Sequence, residues 1–242
     1  MSVDNFFMVN KCAIFDLLRW DLKRGSYKAL KNIQDGLKAH RLYRGIHLRS
    51  LATSNIIHLY QSEYARQFLI GIGAKDIAPL SDYINQDFVE NAQDFDKENV
   101  VLYNPAKGFK FTHRLIQLAP DIKWVALRGF SRSELVNVLR SSKVYIDFGN
   151  HPGKDRLPRE CAMNGCVIIT GKRGAAKYKE DVFIDDEFKF DETPEENIIE
   201  KIRDIFSNYD ANYSKQKAYR ERIIKEKAIF ESEINDLFLI KK

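Results

Sequence analysis

The sequence predicts an α/β protein built on a parallel sheet wound with helices on both faces. From Asn99 to Thr170, short β-branched and aromatic runs alternate with amphipathic stretches, the pattern of successive strand–helix–strand units. One segment, KVYIDFGNHPGKDRLPRECAMNGCVIIT (Lys143 to Thr170), carries a complete unit of this kind with a strongly polar crossover loop. The chain's 242 residues, 44% hydrophobic and 30% charged, suit a soluble protein with a substantial core, as one large domain or two small ones.

The elements follow in order. Cys12 to about Leu42 is helical in pattern and rich in Lys and Arg. IIHLYQ (Ile56 to Gln61) is a strand, and SEYARQFLIGIG is a helix capped by Ser62 that stops at Gly71 or Gly73. DIAPLSDYIN gives a further strand and exit loop, and the acidic, polar QDFVENAQDFDKE is the expected linker between two lobes. NVVLY (Asn99 to Tyr103) is a strand, NPAKG a turn, and FKFTHRLIQLAP an amphipathic helix. IKWVAL (Ile122 to Leu127) is the next strand. In SRSELVNVLRSS, Ser131 and Glu134 form a capping box at the start of a helix. KVYIDF is a buried strand, LPRECAMNG a helix with Pro158 in its first turn and Gly165 at its stop, and CVIIT a second apolar strand. After VFIDDEFKF, Thr193 caps a helix through about Asn208 with Pro194 at its first position. From about Asn212 to Phe238 a single long charged helix is expected, with Ile223, Ile224, Ile229, Phe230 and Ile234 at helical spacing. The expected division is 1–95, 96–210 and a C-terminal helix over 211–242.

Bulk properties exclude several classes. A net charge of +5 fits an anionic small ligand and does not call for nucleic acid. No run approaches about 20 apolar residues, so no transmembrane helix is expected, and no signal peptide is apparent at the N-terminus. Cys12, Cys161 and Cys166 have no metal-like spacing and are odd in number, which points to a reducing, cytoplasmic compartment. The five histidines make no ligand pair at helical spacing, so no structural zinc site is expected.

The loop GNHPGKDR leaves a strand at its carboxyl end, where open α/β sheets bind ligands. His151, Gly153, Lys154 and Arg156 precede or open a helix whose free amides and dipole favour an anion such as a phosphate or diphosphate. Arg159 adds a cation, and Glu160 can accept hydrogen bonds from sugar hydroxyls. A solvated loop between strand and helix is the alternative, and an Arg–Glu pair there can equally be a helix-end salt bridge. Gly171, Lys172 and Arg173 end another strand, as backbone donors to a ligand or as an exposed turn.

These residues resemble a known family. From Asn99 to about Phe190 the chain is similar to the C-terminal nucleotide-sugar-binding lobe of GT-B glycosyltransferases of the family 1/4-like group. NVVLYNPAKGFKFTHRLIQLAPDIKWVALRG resembles the opening strand, the Asn104-to-Gly108 turn, the helix and the next strand ending at Gly129. SRSELVNVLRSSKVYIDFG resembles the following helix and strand, and RECAMNGCVIITGKRGAA the glutamate-bearing helix, strand and small-residue turn. IIHLYQSEYARQFLIGIGAKDIAPLSDYIN resembles the last unit of the N-terminal lobe, so the likeness runs from Ile56 to Phe190.

The resemblance implies a Rossmann-like C-terminal lobe, an abbreviated N-terminal, acceptor-side lobe, and metal-independent transfer of a sugar from a nucleotide-sugar donor. The acceptor would be a glycan or a lipid-linked molecule, in surface polysaccharide or glycoconjugate synthesis. Lys107 matches the cation that contacts the donor diphosphate, and Glu160 the carboxylate that holds the ribose. Asn104, Gly129, His151, Gly153, Lys154, Arg156, Arg159 and Arg173 fill the rest of the donor site. Pro152 stands where retaining members carry a second glutamate, so the sugar and leaving-group contacts fall to His151, Lys154 and Arg156, and retention or inversion stays open. His151 and Asp4 are the candidate catalytic residues. No cofactor and no metal is implied. The short region before the linker lacks a glycine-rich fingerprint, which leaves open a compact variant, half of a split enzyme, or a non-catalytic donor-binding subunit that completes another chain. The basic N-terminal stretch (Lys23, Arg24, Lys28, Lys31, Lys38, Arg41, Arg44) is a solvated face or a peripheral contact with anionic lipid at the inner membrane surface. The C-terminal helix packs back on the protein or forms a homodimer.

Overall fold

The computed structural model describes residues 56–90 and 96–238. Asp4, the basic N-terminal stretch and the middle of the acidic linker, 91–95, lie outside them. The described residues divide into two compact units, 56–59 with Ala65–Ala78, and Tyr60–Tyr64 with 79–90 and 96–238. Strands β1 (His58–Tyr60) and β2 (Ile77–Pro79) form a two-stranded sheet, and α1 spans Glu63–Gly71. Helix α1 is held at its start by the Asp181 carboxylate, which accepts the amides of Glu63 (2.7 Å) and Tyr64 (3.0 Å).

The larger unit carries a five-stranded parallel sheet in the order β4-β3-β5-β6-β7. Its elements are α2 (Asp87–Glu90), β3 (Glu98–Tyr103), α3 (Phe109–Leu118), β4 (Lys123–Ala126), α4 (Arg132–Ser141), β5 (Ser142–Asp147), α5 (Arg156–Met163), β6 (Val167–Gly171) and β7 (Lys189–Phe190). The expected capping box is present, with Ser131 Oγ accepting the Glu134 amide and Glu134 Oε2 accepting the Ser131 amide at 2.8 Å. The central strands are apolar because both faces are covered. Val101, Leu102, Val144, Tyr145, Val167, Ile168 and Ile169 are all fully buried. The chain runs outward from β3 to β4 and then back past β3 to β5. Right-handed crossovers therefore put α3 on one face and α5 on the other. Packing agrees, since α5 meets α8 (Lys217–Phe238) and α3 meets α6 (Glu195–Ser207).

Two boundaries differ from expectation. Pro194 is the N-cap of α6, not its first residue. The long C-terminal helix is two, α7 (Tyr209–Lys215) and α8, broken at Gln216. The break has a physical use. Strand β7 pairs only with Thr170 and Gly171, which leaves the Ile168 amide and carbonyl on that edge without a strand partner. The Gln216 side chain, 1% exposed, supplies both bonds, accepting from Ile168 N at 2.9 Å and donating to Ile168 O at 2.8 Å. One carboxamide thus stands in for the missing strand residue.

Gln216→Ala should therefore destabilise the protein by about 2–4 kcal/mol, because two buried backbone groups lose their partners. Chemical denaturation of the two proteins measures it; a loss below about 0.5 kcal/mol would show that water replaces the side chain without penalty.

Candidate functional site

The sheet reverses its winding between β3 and β5, and ligands of open α/β sheets bind at the carboxyl ends of the strands at such a switch point. The two exit turns are pressed together there. Gly108 has φ +61°, and a Cβ on it would lie 2.6 Å from the Phe148 carbonyl carbon. A Cβ on Gly149 would lie 2.5 Å from Lys107 Cβ. Only two glycines allow this approach, and it sets Lys107 beside the end of β5.

A cavity of about 480 Å³ opens over this contact. Its wall comes from the two exit turns, from the N-termini of α4 and α5, and from the segment around α2. Asn104, Lys107, Arg156 and Glu160, all expected at a donor site, line it together. The sequence reading did not pick out Asn85, Phe88, Arg132, Leu135, Asp147, Asp155 and Leu157, which complete the lining.

The charges form a linked set. Asp147 ends an apolar strand, where its carboxylate accepts the Tyr145 hydroxyl and the Gly149 amide, both at 2.9 Å. Burial pushes its carboxyl up, but the contacts from His151, Gly149 and Tyr145 outweigh this and hold it below the usual range. Asp155 is the N-cap of α5 yet makes no capping bond. Its Oδ2 instead meets Lys107 Nζ at 2.5 Å and His151 Nδ1 at 3.2 Å. At the other edge of the ring, His151 Nε2 faces Asp147 Oδ1 at 3.5 Å. Burial raises the Glu160 carboxyl, with Arg156, Arg159 and Arg132 opposing. Arg156 and Arg132 each open a helix, where the dipole disfavours a cation. That misplacement is the signal by which sequence reading can find Arg132.

Other expected residues lie elsewhere. His151 is fully buried behind the cavity wall. Gly129, Gly153 and Lys154 are not in the lining, and Arg173 pairs with Glu192 at a separate recess of about 210 Å³ with Lys172. Arg159, expected to hold the donor, requires correction. It is 1% exposed, with Nη1 on Glu226 Oε2 at 2.7 Å and Nη2 on Asp82 Oδ1 at 2.9 Å. It also donates to the carbonyls of Lys154 and Asp155. Four of its five N–H groups are taken by protein and the side chain is 1% exposed, so it is not part of the cavity lining.

Asp147, His151 and Asp155 form the one group among the described residues with ligand atoms close enough, within 4.8 Å, to hold a metal ion. Lys107 Nζ lies on the Asp155 carboxylate at 2.5 Å, and the imidazole lies between the two carboxylates, 3.5 Å from Asp147 Oδ1 and 3.2 Å from Asp155 Oδ2. No described helix is long and apolar enough to cross a membrane.

No family model matches the sequence, and neither does any curated protein. Solved structures match the fold. An S. aureus TarM variant in complex with fondaparinux, α-GlcNAc-glycerol and UDP is 14% identical, with a TM-score of 0.57 over 73% of this chain and 42% of that one. Anabaena HepE in complex with UDP-glucose is 11% identical, with a TM-score of 0.55 over 86% of this chain and 68% of that one. Trehalose-6-phosphate synthase OtsA is 11% identical, with a TM-score of 0.56 over 86% of this chain and 70% of that one. The chain spans less than half the length of the TarM chain. These neighbours are GT-B glycosyltransferases, and the GT-B-like α/β fold expected from sequence is the fold found.

Arg159→Ala should cost about 3–5 kcal/mol, because Glu226 is left buried without its cation. The charge-free pair Arg159→Met with Glu226→Leu should recover most of that loss in urea unfolding. A fully stable Arg159→Ala protein would return Arg159 to the list of ligand contacts.

Proposed function

We propose that the cavity binds a nucleotide sugar and that the protein is a glycosyltransferase acting on a glycan or lipid-linked acceptor. The observation that carries this is the meeting of Asn104, Lys107, Arg156 and Glu160 in one cavity at the switch point of a GT-B-like fold. The diphosphate would lie across the first turn of α5, where the Arg156 and Leu157 amides have no side-chain cap. Arg156 is exposed at the cavity and pairs with no carboxylate among the described residues, which leaves its planar fork for phosphate oxygens. Lys107 would supply a second positive charge. Glu160, one turn further along α5, would accept the ribose hydroxyls, and Phe88 with Leu135 offers apolar surface for the base. As the glycosidic bond breaks, the departing diphosphate gains charge, and cations fixed before the reaction stabilise it at little reorganisation cost. Donor and acceptor, without a resident cofactor, are then the partners to look for.

A second reading is a donor-binding subunit without its own transferase activity. It is favoured by the full burial of His151, the one candidate catalytic residue among the described ones, outside the cavity lining. The two readings separate on release of UDP from UDP-sugars in the presence of glycan and lipid extracts. A transferase releases it, and a binding subunit retains the sugar nucleotide intact.

A thermal-shift screen against UDP, GDP, CDP, ADP and their sugar conjugates should show a base-specific rise in melting temperature. Arg156→Ala and Glu160→Ala should each weaken the preferred nucleotide about tenfold or more, as expected for loss of a charge-assisted contact, while melting near wild type. Undiminished affinity in both variants would remove the site from this cavity. Nucleotide affinity should also be the same with and without EDTA; loss on chelation would restore the Asp147–His151–Asp155 group as a metal site.

A further inference from the structure

We propose that His151 is a positioning residue for the donor cavity, acting through Asp155 to keep the first turn of α5 open and Lys107 in place. The inference rests on the donor-binding reading for its consequence, but not for its geometry. Aspartate at an N-cap ordinarily turns its carboxylate onto the amides of the first helical turn. Asp155 has the right backbone for this, with φ −65° and ψ 138°, and still makes no capping bond. Pro158, the third residue of the helix, has no amide, so Leu157 N–H is the natural partner. The carboxylate lies instead against two groups, hydrogen-bonded by Lys107 Nζ at 2.5 Å and 3.2 Å from His151 Nδ1, a buried nitrogen that makes no hydrogen bond.

Of these two, His151 is the fixed one. Lys107 is about a third exposed, at 31%, on a flexible stem, whereas the imidazole is fully buried. The opposite edge of the ring faces Asp147, itself held by Tyr145 and Gly149. The His151 backbone is fixed as well. Its carbonyl accepts the Ala175 amide at 2.8 Å, and Gly174, at φ +58°, comes so near that a Cβ would lie 2.1 Å from that oxygen. The line Tyr145, Asp147, His151, Asp155, Lys107 therefore runs from the core to the cavity, and the imidazole transmits the position of β5 to the cavity wall. Without it, Asp155 has one mobile tether and an uncapped amide beside it. The carboxylate then closes on Leu157 N–H, where it takes the donor a phosphate would use and sets a negative charge in the phosphate's place.

The test uses two readouts on wild type, His151→Gln, Asp155→Ala and the double variant. Amide hydrogen exchange at Leu157 needs no ligand. His151→Gln should slow it about fivefold as the cap forms, and Asp155→Ala should cancel that slowing. Calorimetric titration with UDP should show His151→Gln weakened about tenfold, and less than about twofold weakened when Asp155 is already alanine. Unchanged Leu157 exchange in His151→Gln, or equal weakening in both backgrounds, overturns the positioning role. A wild type that shows the exchange pattern but binds no nucleoside diphosphate overturns the donor reading alone. Should His151→Gln fail to fold, His151→Asn repeats the cycle with a smaller amide.

Discussion

The cavity depends on one steric constraint, the backbone contact between the turn after β3 and the turn after β5. Parallel strands send their exit loops to the same end of the sheet, and side chains normally hold such loops apart. Here Gly108 and Gly149 remove the obstruction on each side, and the two chains meet at distances a Cβ would forbid. The contact fixes Lys107 above the end of β5, brings Asn104 over the switch point, and aims the loop 150–155 toward α5. A cavity at this place owes its wall to backbone proximity first and to side chains second.

The charged residues of the crossover then divide between two tasks. Successive residues of an α-helix are about 100° apart, so Arg159 and Glu160 point to different sides of Arg156. Glu160 turns to the cavity. Arg159 turns inward to α8 and the exit loop, where Glu226 and Asp82 meet its guanidinium, and it holds the carbonyls of Lys154 and Asp155 from beneath. A buried arginine with two carboxylates contributes little net stability against an apolar substitute, but it fixes geometry because any misplacement leaves charge unpaired. The loop that bears His151 and Asp155 is thus anchored at the helix by Arg159 and at the sheet by Asp147.

What the sequence disclosed is what local chemistry decides. The strands, the capping box at Ser131 and the stop at Gly165 are written within a few residues of where they act, and all are present. Asn104, Lys107 and Glu160, expected from the likeness of the NPAKG turn and the glutamate-bearing helix, and Arg156, expected from the polar crossover loop, line one cavity. The misassignment of Arg159 has the opposite cause. Its partners are 77 and 67 residues away, and nothing local separates a ligand cation from a buried one. Gln216 was hidden for the same reason, since a glutamine within a helical pattern gives no sign that it completes a sheet edge. Asp147 is visible in the sequence only as an acid at the end of an apolar strand, the end at which a parallel sheet binds its ligands.

Charge arithmetic within the cavity narrows where an anion can sit. Lys107, Arg132 and Arg156 face Asp147, Asp155 and Glu160, so the lining is balanced in sign. Lys107 is offset by Asp155 and Arg132 by Asp87, whereas Arg156 has no such partner among the described residues. A diphosphate placed near Asp147 would meet a carboxylate that two donors, Tyr145 and Gly149, hold in place. The same diphosphate at the start of α5 meets an unpaired arginine, two uncapped amides and the positive end of the helix dipole. The difference between these positions is Coulombic, and within a partly enclosed cavity it is larger than at an exposed surface. The remaining carboxylates then face the neutral, hydroxyl-rich parts of a nucleotide sugar, which accept no penalty from them and offer hydrogen bonds in return.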